Sequence, residues 1–93
     1  MNILEETIKD LIPKFEGMEK IEQSKDEDTF AAYCHSQLSG GIGMKIRNEY
    51  GLWVDTSPLR KYFDDNHPNL KHPDDMSDFI IRIIYNKLMP NDK

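Results

Sequence analysis

The run from Met76 to Leu88 constrains this chain more than any other part of it. Met76, Phe79, Ile80, Ile83, Ile84 and Leu88 recur at spacings of three and four, the stripe of an α-helix, and Ile81 and Tyr85 widen that stripe. A helix apolar over so much of its circumference cannot rest on a surface; neighbours must cover it on more than one side. A strand over the β-branched Ile80–Ile84 is the competing reading, but no period-two alternation elsewhere would supply it with partners. The chain has 93 residues, which is enough for one core and too few for two. The expectation is a single all-α domain over 1–93, of four or five short helices joined by short connections, with the apolar C-terminal helix at its centre.

Punctuation residues place the other helices. Asn2 is a good N-cap with Glu5 and Glu6 in the first turn, and Ile3, Leu4, Ile8, Leu11, Ile12 and Phe15 form one stripe behind it. Pro13 lacks an N–H and disfavours helix at Ile12, so this first helix is expected to end or kink there. Ser24-Lys25-Asp26-Glu27 has the form of a capping box, with Ser24 as N-cap of a second helix whose Phe30, Ala31, Cys34 and Leu38 share a face. Ser39-Gly40-Gly41 ends or bends it. A third helix runs from about Ile42 to Tyr50, with Gly51 as its left-handed stop and Leu52 as the accompanying apolar contact. Ser57 and Pro58 open a short fourth helix reaching about Phe63 or Asp64, and Asp65 to Lys71 reads as loop. Pro73, with Asp74 and Asp75 in the first turn, opens the last helix, which closes before Pro90.

Charge is unevenly placed. Residues 1–30 hold nine acids and four lysines, and residues 31–93 hold eight acids and eight bases, so the net charge of −5 belongs to the first third. This acidic N-terminal helical region, 1–29, reads either as a solvated face or as a docking surface for a basic partner. No basic run is present to displace counterions from phosphates, which argues against a nucleic-acid partner. No apolar run approaches the roughly 20 residues that span a bilayer, and Met1–Glu6 is acidic rather than basic, so neither a membrane anchor nor a secretory signal is expected. Cys34 is the single cysteine, which fits a reducing, cytoplasmic setting.

Two segments concentrate residues that a plain solvated helix would not need: Gly43 to Trp53, and His72-Pro73-Asp74-Asp75-Met76-Ser77. Arg47 can form a bidentate pair with a carboxylate, Asp74 or Asp75 being the candidates, as a strut between two helices or as an anion or partner contact. Trp53 fits an apolar plug; exposed, beside Tyr50 and Arg60, it would be a hot spot for a partner or a flat ligand. His72 with Asp74 and Asp75 invites a metal reading, but adjacent residues on a helix point about 100° apart and cannot easily share an ion. A helix start explains them locally, so no metal is expected. Cys34 and His35, being neighbours, face different directions and do not make a nucleophile–base pair; an enzyme would need His35, His72 and a carboxylate to converge. Gly40-Gly41-Ile42-Gly43 lacks the lysine–serine pair and preceding strand of a phosphate loop.

From Phe30 to Leu88 the chain resembles a family of small bacterial and phage-associated helical domains of unknown function. Three motifs carry the likeness in order: Gly43-x-x-Ile46-Arg47-Asn48-x-Tyr50-Gly51-Leu52-Trp53, Ser57-x-Leu59-x-x-Tyr62-Phe63, and His72-Pro73-Asp74-Asp75-Met76-Ser77. The chain departs from the pattern in having Tyr50 and Lys45 at or near positions where family members carry tryptophan. His35 stands in the place of the histidine that precedes the glycine. The resemblance implies a shared fold and no particular reaction, cofactor or ligand.

These readings converge on a small cytoplasmic module that binds another protein stoichiometrically, with an inhibitor or immunity-type protein of phage or defence origin as its narrower form. The alternative is a binder of a nucleotide or other anion. In both, the candidate contact residues are Arg47, Asn48, Tyr50, Trp53, Arg60, His72, Asp74 and Asp75; catalytic residues, metals and cofactors are not expected. The expected geometry is closed, with Arg47 paired to Asp74 or Asp75 and Trp53 buried against the last helix near Phe79 or Ile80.

Overall fold

The computed structural model describes residues 2–36 and 40–89. Its elements are α1 (Ile3–Glu16), α2 (Glu19–Gln23), α3 (Glu27–His35), α4 (Ile42–Glu49), α5 (Pro58–Asn66) and α6 (Pro73–Leu88). All elements among the described residues are helical, and α6 is the one the others surround: α1, α3 and α4 all pack against it. Its deepest line is Met76, Ser77, Ile80, Ile81, Ile84 and Tyr85. Phe79, Ile83 and Leu88 are half-buried, so the inward face is rotated toward Ile81 and Tyr85 relative to the stripe read from spacing. No described helix is long and apolar enough to cross a membrane.

α1 begins as expected, with a reciprocal capping box between Asn2 and Glu5. It does not stop at Pro13 but continues to Glu16. Leu11 and Phe15, on either side of the proline, are both inside the core, and Phe15 meets Phe30 of α3 edge-on at 6.1 Å. Burying a phenylalanine is worth about 1.5–3 kcal/mol, which offsets most of the roughly 3 kcal/mol that an interior proline costs. The sixth helix, beyond the four or five expected, is the short α2, which turns Ile21 into the core.

α2 also changes the role of Ser24. Rather than capping α3, Ser24 closes α2, its hydroxyl donating to the Lys20 carbonyl at 2.7 Å. Its own carbonyl accepts from the Tyr85 hydroxyl. Asp26 caps α3 instead, accepting from the Thr29 N–H at 2.8 Å, and that backbone hydrogen bond holds its carboxyl below the usual range. α3 ends at His35; Leu38 and Ser39 lie outside the described residues.

α4 ends in the Schellman form read from the sequence. Gly51 has φ +66°, and the Leu52 N–H donates to the Arg47 carbonyl at 2.9 Å. α5 runs past Asp64 to Asn66, so Asp65 and Asn66 belong to the helix rather than to the loop. The extension brings His67 onto Phe63 and Phe79, ring centroids 5.8 and 4.7 Å away.

Gly51→Ala places a Cβ 3.0 Å from that of Ser57 and forces a left-handed residue. We expect it to lower unfolding free energy by about 1–2 kcal/mol, read as a shifted urea midpoint with unchanged slope.

Candidate functional site

The ends of α4, α5 and α6 meet, and their unpaired backbone groups are met by a small set of side chains. Ser57 accepts from the Arg60 N–H and donates to the Gly51 carbonyl at 2.7 Å. The Arg60 guanidinium donates to the Leu52 carbonyl at 2.8 Å and pairs with Asp64 at 3.2 Å and, more loosely, with Asp55 at 3.7 Å. Arg60 is thus a strut beneath the turn, its side chain only 17% exposed.

The same turn sends Trp53 outward, against the expectation of burial near Phe79 or Ile80. Leu52 takes the inward position and is fully buried, while Trp53 and Val54 are each 53% exposed. The left-handed Gly51 folds the chain back so that the residue after it meets the core, and its successor faces water. The core space near Phe79 is filled by Phe63 and His67 instead. The Trp53 indole stands roughly perpendicular to the His72 ring at 5.6 Å.

His72 is the N-cap of α6. Its Nδ1 accepts from the Asp74 N–H at 3.0 Å, which leaves the ring proton on Nε2 in the neutral form. Asp74 in turn receives Arg47, as one of the two expected partners: Nη1 lies 3.1 Å from Oδ1 and also donates to the Ser77 hydroxyl at 3.1 Å. The Arg47 side chain is 11% exposed and Asp74 58%, so the pair runs from core to surface. Asp75 is exposed and makes no ion pair with Arg47. Trp53, His72 and Asp74 therefore form a continuous ridge braced from the core side by Arg47, and Met44, 58% exposed, lies one turn before Arg47 on α4.

Beside the ridge, His35, Arg47, Asp74, Asp75 and Asp78 line an open groove of about 350 Å³. His35 Nε2 lies 3.3 Å from Asp78 Oδ1. Asp78 Oδ2 accepts from Arg82 at 2.7 Å, and Arg82 also holds Glu27 and Asp28 of α3. The hydrogen bonds that the Arg82 guanidinium donates to Asp28 and Asp78 push its pKa above the ordinary value. Gly43 makes this meeting possible: a Cβ there would stand 3.0 Å from His35 Nδ1 and 3.2 Å from Arg47 Nη1. His35 and His72 engage different carboxylates, Asp78 and Asp74. Burial pushes the Cys34 thiol up to about 12, which keeps it protonated and poorly nucleophilic at neutral pH. Among the described residues no three His, Cys, Asp or Glu side chains are placed to hold a metal ion.

Two candidates lie apart from the ridge. The Tyr50 hydroxyl donates to Asp10 of α1, and burial with that carboxylate raises its pKa. Asn48 is exposed on a different groove, shared with α1. Sequence reasoning missed Ser77 and Asp78. The i, i+4 spacing of Asp74, Asp78 and Arg82 was a usable signal for an ion-paired face on α6.

A family model described as a domain of unknown function, DUF6794, matches residues 4–88. The chain belongs to the DUF6794 family. The match opens in α1 and closes at the end of α6, so the DUF6794 domain takes in the acidic N-terminal helices as well as the motif region from Phe30 onward. No curated protein and no solved structure matches the chain.

Because Asp74 is exposed, losing Arg47 does not strand a buried carboxylate. Arg47→Ala removes the bond to the buried Ser77 and the packing of the arginine stem, and the expected cost is about 1–3 kcal/mol by chemical denaturation. Cys34 should resist a thiol reagent such as DTNB at pH 8 in the folded protein and react fully once denatured.

Proposed function

We propose that this DUF6794 protein is a small binding module that docks stoichiometrically on a partner protein through the Trp53–Val54 ridge. The observation that carries the reading is a half-exposed tryptophan on a turn that is already rigid. The Leu52–Arg47, Ser57–Gly51 and Arg60–Leu52 hydrogen bonds hold its backbone, and His72 meets its ring. A large aromatic held this way loses little conformational freedom when a partner covers it, and tryptophan is enriched among residues that dominate interface energies. Val54 and Met44 add exposed apolar area, and Asp55, His72 and Asp74 supply a polar rim.

The alternative, a nucleotide or other anion held by Arg47, Tyr50, Trp53, Arg60 and His72, has less support. Arg60 is committed to the Leu52 carbonyl and two aspartates, Tyr50 to Asp10, and Arg47 to Asp74 and Ser77. An inhibitor or immunity-type role, of phage or defence origin, is the narrower form of the docking proposal, in keeping with the acidic first third. A cytoplasmic setting accords with the single cysteine kept as a buried thiol.

Trp53→Ala removes an exposed side chain and is expected to leave the melting temperature within a degree or two of the parent. Affinity capture from the native host, run in parallel on the parent and on Trp53→Ala, should retain a protein at near one-to-one ratio only on the parent. Identical capture profiles for both would overturn the docking surface.

A further inference from the structure

His72 fills two roles at once. Its Nδ1 caps α6 by accepting from the Asp74 N–H at 3.0 Å, and its ring is the surface against which the Trp53 indole stands, 5.6 Å between centroids. Only an unprotonated Nδ1 has a lone pair with which to accept, so the cap exists in the neutral form and is lost when the ring takes up a second proton. The same Nδ1 lies 3.6 Å from Asp74 Oδ2, while Arg47 engages the other oxygen, Oδ1. A proton on Nδ1 therefore finds a carboxylate oxygen just beyond hydrogen-bond distance. Reaching it takes a change of ring position, not a change of fold.

The charged groups around the ring come from several elements. Asp74 lies on α6 itself, Arg47 reaches it from α4, Lys71 precedes His72 in the chain, and Arg60 of α5 with Asp55 holds the turn that carries Trp53. Arg60 is occupied by the Leu52 carbonyl and by two aspartates, and among the described residues Asp74 is the acid that His72 pairs with. The His72 side chain is 56% exposed, so solvent protons reach it. The other two histidines sit elsewhere, His35 on Asp78 and His67 against Phe63 and Phe79.

We propose that His72 is a proton-operated switch on the Trp53 ridge. In the neutral form it caps α6 and supports the indole; in the protonated form it leaves the Asp74 N–H for Asp74 Oδ2 and withdraws its ring from Trp53. Histidine is the side chain that ordinarily changes charge between about pH 5 and 8, so the switch operates on mild acidification. Resting on the docking reading above, the neutral form holds the partner and the protonated form releases it, because the indole is pre-positioned only while His72 supports it.

The first arm of the test uses the free, isotope-labelled full chain, followed by NMR from about pH 8 to pH 5.5. The expected result is that the Asp74 amide resonance and the Overhauser contacts between the Trp53 and His72 rings change together along the His72 ring titration, the contacts fading at the acid end. His72→Asn keeps a capping side chain without a titrating group, and in it the Asp74 amide should stay in place. Ring contacts that persist once His72 is protonated would overturn the switch, as would an Asp74 shift that His72→Asn leaves intact. The second arm repeats the affinity capture at both ends of this range. The parent should retain at least about fivefold less partner at the acid end, and His72→Asn the same amount at both. Equal retention by the parent at both ends would overturn the regulation and leave the docking surface standing. A chain that captures nothing removes the docking reading alone, and the first arm still decides the switch.

Discussion

Everything in this molecule is arranged around the need to cover α6 on several sides at once. A helix whose Met76, Ile80, Ile81 and Ile84 are all sealed from water requires partners on different faces. α1, α3 and α4 supply them, and α5 packs against α1 and carries Phe63 against Phe79. The demand is strong enough to carry α1 through a proline and to recruit the five-residue α2, which an isolated peptide would not form.

The second constraint is local. Where α4, α5 and α6 come together, carbonyls and N–H groups that helices leave unpaired are satisfied by Ser57, Arg60 and His72. Those side chains are consumed by structure, which is why a motif rich in charge and aromatics does not converge on one ligand pocket. The outward face of the same turn carries the exposed surface, so the groups that fix the backbone also fix Trp53.

Much of this was legible in the residues. The caps at Asn2, Ser57 and His72–Pro73, the Gly51 stop and the pairing of Arg47 with Asp74 follow from short-range rules and from helix ends that had to meet. Tertiary packing decided the rest. Pro13 announces its local cost, but only the assembled core reveals the compensating burial of Phe15. Ser24 and Asp26 are overlapping caps, and the choice between them turned on a short helix that only Ile21 burial sustains. Leu52 and Trp53 are adjacent apolar residues of which one must face outward, and the handedness of the glycine turn chose the smaller for the core. The His35–Asp78 contact joins residues 43 apart, beyond the reach of any spacing rule.

The position of Trp53 also changes what an optical experiment on this protein measures. It is the only tryptophan in the chain, and it sits at the surface rather than in the core. Its indole is already half in contact with water in the native state, so unfolding changes its exposure less than it would for a core tryptophan. Intrinsic fluorescence is a poor gauge of the core here, a task better left to circular dichroism. Excluding water from that indole is the event to which its spectrum is most sensitive, so the chain carries a built-in reporter on its own surface.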